Sequence, residues 1–125
     1  MSQKVCVIVG GGKGIGAAVA REMHNRNYYL ALMSPSNNCE ILAKELNGIA
    51  LRGKAENKSD TENLINLAMK RYGRVDSLLI HVGGPPKGDL LDISDDDWNK
   101  ANEMVLMPVI RLSKLVTPLM KTQGG

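Results

Sequence analysis

The chain has 125 residues, 43% of them apolar and 23% charged, with a net charge of +3. That balance excludes a disordered or collagen-like polymer, and so small and scattered a positive excess makes no nucleic-acid face. No apolar run approaches the roughly 20 residues of a membrane span, and two cysteines, Cys6 and Cys39, make neither a disulfide framework nor a zinc site. The expectation is one cytoplasmic domain with no membrane and no nucleic-acid partner.

Short apolar runs alternate with helical patterns along the chain. Val5–Val9 is continuous, β-branched and followed by glycines, the mark of a buried parallel strand. Ile15, Val19 and Met23 follow at helical spacing, and Tyr28 to Met33 is a second strand. The turn cluster 34–38 precedes a helix carrying Ile41, Leu42 and Leu46, with Gly48 just past its end. Ile49 to Leu51 is a third strand. Ser59 and Glu62 match a capping box for a helix with Leu64, Ile65, Ala68 and Met69 on its apolar face, and Gly73 ends it. Leu78 to Val82 reads as a fourth strand, and a Gly/Pro loop runs from Gly83 to Gly88. Ser94, with Asp95, Asp96 and Asp97, opens a helical pattern that continues to about Lys121. Pro108 is expected to kink or break it, and Trp98 to pack against the sheet. Strand and helix alternating at this spacing imply an α/β, Rossmann-type doubly wound parallel sheet of about four strands, with helices on both faces.

The chemistry lies in Gly10-Gly11-Gly12-Lys13-Gly14-Ile15-Gly16, between the first strand and the first helix. Glycines there let the backbone turn tightly and let a diphosphate approach bare N–H groups, while the helix start adds partial positive charge. A nucleoside-triphosphate loop is excluded: Gly12-Lys13 is followed by Gly14 rather than Ser or Thr, and Val7 stands where its leading Gly belongs.

The spacing Gly10, Gly14, Gly16 resembles the short-chain dehydrogenase/reductase family. Gly73-Arg74-Val75-Asp76, with the strand and Gly83 behind it, resembles that family's fourth-strand region, and Ser94 through Trp98 its next segment. The whole chain matches roughly the first half of such an enzyme. The resemblance implies an oxidoreductase that interconverts an alcohol and a carbonyl on a small-molecule substrate. This chain would be its dinucleotide-binding domain, 1–125, in a homo-oligomer. Gly10, Gly12, Lys13, Gly14, Ile15, Gly16, Ser34, Val82, Gly83 and Gly84 are the expected cofactor contacts. Four positions depart from the family's pattern. Val9 replaces a Thr, Ile80-His81-Val82-Gly83 an Asn-Asn-Ala-Gly, Lys54 an acid after the third strand, and Val105 a helix Asn.

An acid at the end of the second strand would accept from a ribose 2′-hydroxyl and repel a 2′-phosphate. Ser34 and Pro35 stand there instead, and Lys13 resembles the basic residue of NADP-preferring relatives. The expected cofactor is therefore NADP(H) over NAD(H). Family members donate the proton from a Tyr with a Lys four residues later. Tyr28, Tyr29 and Tyr72 are followed at that distance by Leu32, Met33 and Asp76, so no catalytic residue is assigned within the chain. The expectation is a chain cut short of its catalytic half. A non-catalytic nucleotide-binding or interaction module is the alternative.

Overall fold

A computed structural model describes residues 3–125. Four parallel strands, β1 (Val5–Val9), β2 (Tyr29–Ser34), β3 (Ile49–Arg52) and β4 (Ser77–Ile80), lie in the order β3-β2-β1-β4. Between and after them run α1 (Gly14–Asn25), α2 (Asn38–Glu45), α3 (Lys58–Tyr72), α4 (Asp95–Ala101) and α5 (Met107–Gln123). This is the doubly wound α/β arrangement that the alternating pattern implies.

Strand periodicity divides the core. Cys6 pairs with Leu30 and Ile8 with Leu32, and these four side chains meet α1 and α2 on one face. Val7 pairs with Ala31 and Val9 with Met33, pointing to the other face, where Leu64, Ala68, Leu112 and Val116 of α3 and α5 cover them. Every residue of β1 is buried, because it has a strand on each side and a helix layer on each face. Full burial of Ile8 or Leu32 contributes about 1.5–3 kcal/mol each.

Several boundaries differ from the sequence expectation for physical reasons. On α1, Gly16, Ala17 and Ala20 are buried and Val19 and Met23 pack beside them as expected; Ile15 is exposed, because only small side chains let the start of the helix lie close to the strands. No capping box forms on α3: Asn57 is the cap, its side chain accepting from Asp60 N at 3.1 Å, and Ser59 lies inside the first turn. β4 begins at Ser77 and ends at Ile80; His81 N still donates to Val9 O at 2.9 Å, and Val82 lies past it. Trp98 is half exposed, since α4 buries no side chain. Pro108 does not break its helix. A π-helical turn, Asn102–Leu106, precedes it, with Met107 N–H bonding Asn102 O five residues back. The wide turn comes where Pro108, lacking an N–H, cannot continue the i to i−4 ladder. Gly73 ends α3 as expected, in the left-handed conformation at φ 78.

The N-terminal end of the sheet is tied by Asp76. Its Oδ2 accepts from Val5 N at 2.8 Å and from Arg74 Nε at 2.8 Å, and Arg74 Nη2 meets Oδ1. The Arg74 guanidinium holds the Asp76 carboxyl below its ordinary range, with the Val5 amide adding to the effect. A carboxylate depressed in the folded state gives stability that is fully present above its unfolded value of about 3.9 and is lost as pH falls through the folded value. Asp76→Asn is therefore expected to cost about 1–2 kcal/mol at neutral pH. It should also flatten the acid limb of a plot of melting temperature against pH. An acid limb identical to that of the parent protein would contradict this role.

Candidate functional site

All four strands point their C-terminal ends at one cleft of about 530 Å³. It opens where the chain reverses direction across the sheet, between β1 and β4, the place where open parallel sheets bind ligands. Its floor is the β1–α1 turn. Its sides are the ends of β2 (Met33 to Ser36), of β3 (Gly53, Ala55 and Glu56) and of β4 (His81 to Gly83), with Met104 reaching in from the π-helical turn.

The glycine turn is held by its own backbone. Gly10 N and Gly11 N both donate to Met33 O, at 2.8 and 3.1 Å. Gly10 has φ 83, and a Cβ added there would collide with the carbonyl oxygen of His81. A Cβ on Gly16 would collide with the carbonyl oxygen of Gly10. These two contacts stack the start of α1 on the turn, and the turn on the end of β4. A side chain at Gly12 would meet Ser34 Oγ at 2.9 Å and Asn38 Cβ at 2.8 Å, inside the wall between the turn and α2.

Lys13 is the N-cap of α1, extended at φ −158 and ψ 174, and no side chain caps the helix. The first-turn N–H groups, those of Gly14, Ile15 and Gly16, have no acceptor within the helix. Together with the helix dipole they place partial positive charge at the cleft floor. Ile15 and Gly16 do not line the cleft with their own surfaces: the Ile15 side chain is 62% exposed and Gly16 is buried under Gly10.

At the end of β2, Ser34 lines the cleft, but its hydroxyl is engaged. It donates to Ser36 O at 2.9 Å and accepts from Cys39 N at 3.1 Å, so it caps the first turn of α2. Ser36 and Asn38 line the same wall, and neither was singled out from sequence. No acid stands at this end of β2; the acid on the cleft is Glu56, beyond β3. Lys54 is not a cleft residue, and its N–H donates to Asp60 Oδ2 at 2.9 Å. Val82 and Gly83 line the cleft and Gly84 does not; His81, read from sequence as a strand residue, is exposed on the rim.

None of the tyrosines lines the cleft. Tyr29 and Tyr72 stack at 4.8 Å between ring centroids, and Tyr72 Oη donates to Leu30 O, at the start of β2. Burial pushes the Tyr72 hydroxyl pKa up. Cys6 lies in the core, where burial pushes its thiol up to about 11.

Comparison with known proteins identifies the scaffold. The short chain dehydrogenase family matches residues 4–125. The chain belongs to that family. Its curated relatives include a 3-oxoacyl-[acyl-carrier-protein] reductase of Buchnera aphidicola, 28% identical over 99% of this chain and 53% of its own length. They also include a 7alpha-hydroxysteroid dehydrogenase of Bacteroides fragilis, 31% identical over 98% of this chain and 51% of its own. Among solved structures, an NADPH dependent reductase involved in bacilysin biosynthesis superposes with a TM-score of 0.91 at 19% identity, covering 98% of this chain and 51% of that one. An actinorhodin polyketide ketoreductase with NADPH superposes at 0.89 and 24%, covering 99% and 52%. These likenesses confirm the Rossmann-type fold. The chain spans about half the length of the curated relatives it matches. Among the described residues, no helix is long and apolar enough to cross a membrane.

The glycine contacts make unequal demands on this short chain dehydrogenase scaffold. Gly10→Ala and Gly16→Ala each drive a methyl group into a backbone carbonyl and are expected to lower stability by about 3 kcal/mol or more. Gly83→Ala meets no atom within 4 Å and should change stability by no more than about 0.5 kcal/mol. Urea denaturation of the three variants measures the contrast, and equal midpoints would contradict it.

Proposed function

We propose that residues 1–125 are the dinucleotide-binding domain of a short-chain dehydrogenase/reductase that interconverts an alcohol and a carbonyl, with NADP(H) favoured over NAD(H). The observation carrying this reading is the uncapped start of α1 at the switch point of the sheet, packed on two glycines that admit no side chain. The residues fit such a group. The cleft, at about 530 Å³, lies within the range of about 300–1,000 Å³ usual for small-molecule and cofactor sites. Its floor offers N–H groups to a diphosphate, and Lys13 stands on its rim. When bound, the nicotinamide ring supplies or accepts a hydride.

The chain's own part in this reading is to bind and orient. Gly12 lets the turn pack against Ser34 and Asn38, while Gly14, Ile15 and Gly16 present their amides. Val82 and Gly83, just beyond the end of β4, border the far side. The 2′-phosphate falls to Lys13, which binds phosphate as a point charge. Ser34, whose proton is already donated to Ser36 O, shapes this wall rather than donating to the ligand. Proton transfer to the substrate oxygen requires a donor at the cleft; we assign it to the whole protein, outside these 125 residues. The part-exposed run Val105, Leu106, Val109 and Ile110 supports contact with a second copy.

Calorimetric titration with NADPH and NADH tests the reading. NADPH is expected to bind more tightly, and Lys13→Ala to weaken NADPH about tenfold, the loss of one charge-assisted contact, with NADH little changed. Unchanged NADPH affinity in the variant would remove the case for the 2′-phosphate. No heat with either nucleotide would leave the non-catalytic interaction module as the better reading.

A further inference from the structure

Two walls of the cleft come from segments that share no strand. One is the loop between β3 and α3, which brings Gly53, Ala55 and Glu56; the other is the π-helical turn, which brings Met104. Arg111, in the second turn of α5, reaches both. Its Nη1 donates to the Glu56 carbonyl oxygen at 3.3 Å, and its Nη2 to Glu103 Oε2 at 3.2 Å. The Arg111 side chain is only 22% exposed, so its stem is packed while its head bridges the two segments. A guanidinium carries several N–H donors in one rigid plane and can hold two acceptors together; an ammonium on a flexible stem cannot fix their spacing in the same way. Neither bond reaches into the cleft. Each ends on a residue whose segment lines it: Glu56 itself, and Glu103 next to Met104.

We infer that Arg111 is a positioning residue that locks the Glu56 loop to the π-helical turn, and so sets the spacing of the cleft where it passes the ends of β2 and β3. The inference rests on the dinucleotide reading above for the identity of the ligand. The π-helical turn supports it. A wide turn shifts the helix phase there, and the bridge from Arg111 registers the turn against Glu56, which is 55 residues from Arg111 in the sequence. The loop is otherwise fastened to β2, by Gly53 N to Ser34 O at 3.0 Å, and to α3, by Lys54 N to Asp60 Oδ2 at 2.9 Å. Arg111 supplies the fastening to α5 and the π-helical turn.

The test is calorimetric titration of the full-length protein with NADPH and with adenosine 2′,5′-bisphosphate, alongside thermal melting. The variants are Arg111→Met, Arg111→Lys and Glu103→Gln. Arg111→Met is expected to weaken both probes by about threefold to tenfold, the range for a part-exposed charged hydrogen-bonding pair, with a melting shift below about 4 °C. Arg111→Lys should recover part of the loss, and Glu103→Gln, which cuts one arm alone, should lose less than Arg111→Met. Wild-type affinity in Arg111→Met would overturn the positioning role and leave the dinucleotide reading standing. A loss that only follows a fall in melting temperature would also overturn it, because Arg111 would then be a general stabiliser. If Arg111→Met does not fold, unchanged affinity in Glu103→Gln overturns the inference on its own. If the unaltered protein binds neither probe, the dinucleotide reading falls and this inference with it.

Discussion

Two carbonyl oxygens press on two glycines, and the arrangement of the cleft follows from that contact. Gly16 lies beneath the carbonyl of Gly10, and Gly10 beneath the carbonyl of His81. Only residues without Cβ allow this approach, so α1 starts directly over the ends of β1 and β4. Its first-turn amides are then left without a side-chain cap at the edge of the cleft, which Lys13 and Gly14 line. Ala17 and Ala20 continue the same close packing along α1. The large exposed side chain of Ile15 is a consequence: a helix set this near the sheet keeps its bulk on the outside.

Around that floor, the walls are fastened by polar contacts that do not compete with a ligand. Met33 O holds the amides of Gly10 and Gly11. Ser34 caps α2 and bonds Ser36 O. Asp60 holds the loop after β3, and Arg111 joins that loop to the π-helical turn. At the opposite end of the sheet Asp76 ties β1 to the entry of β4. The anchoring groups are thus engaged with one another, and the start of α1 is left without a side-chain cap.

Much of this is legible in the residues themselves. The β-branched run of β1, the glycines behind it and the alternation of strand and helix specify a parallel doubly wound sheet, because each pattern has one period and one burial solution. Gly73 and Ser94 act at their helix ends as their chemistry requires. Less legible is what depends on contacts between distant segments. Asn57 displaces Ser59 as the cap of α3 because the preceding chain arrives extended at that residue. The roles of Ser36, Asn38 and Glu56 come from where β2 and β3 end together, a register that no local pattern encodes. The π-helical turn ahead of Pro108 is one residue wider than a helical period allows for, and Met104 enters the cleft from it. Trp98 misleads because an aromatic residue in a helix usually buries its ring, whereas α4 packs no side chain into the core.

The central claim is that backbone amides at one helix start, and not a side chain, grip the diphosphate of a dinucleotide. Amide chemical shifts of the isotopically labelled, well-folded protein, followed by nuclear magnetic resonance through a titration with NADPH, test it most directly. The account predicts that the largest saturable shifts fall on the amides of Gly12, Gly14, Ile15 and Gly16. Resonances at those four positions that stay still at saturating NADPH would contradict it.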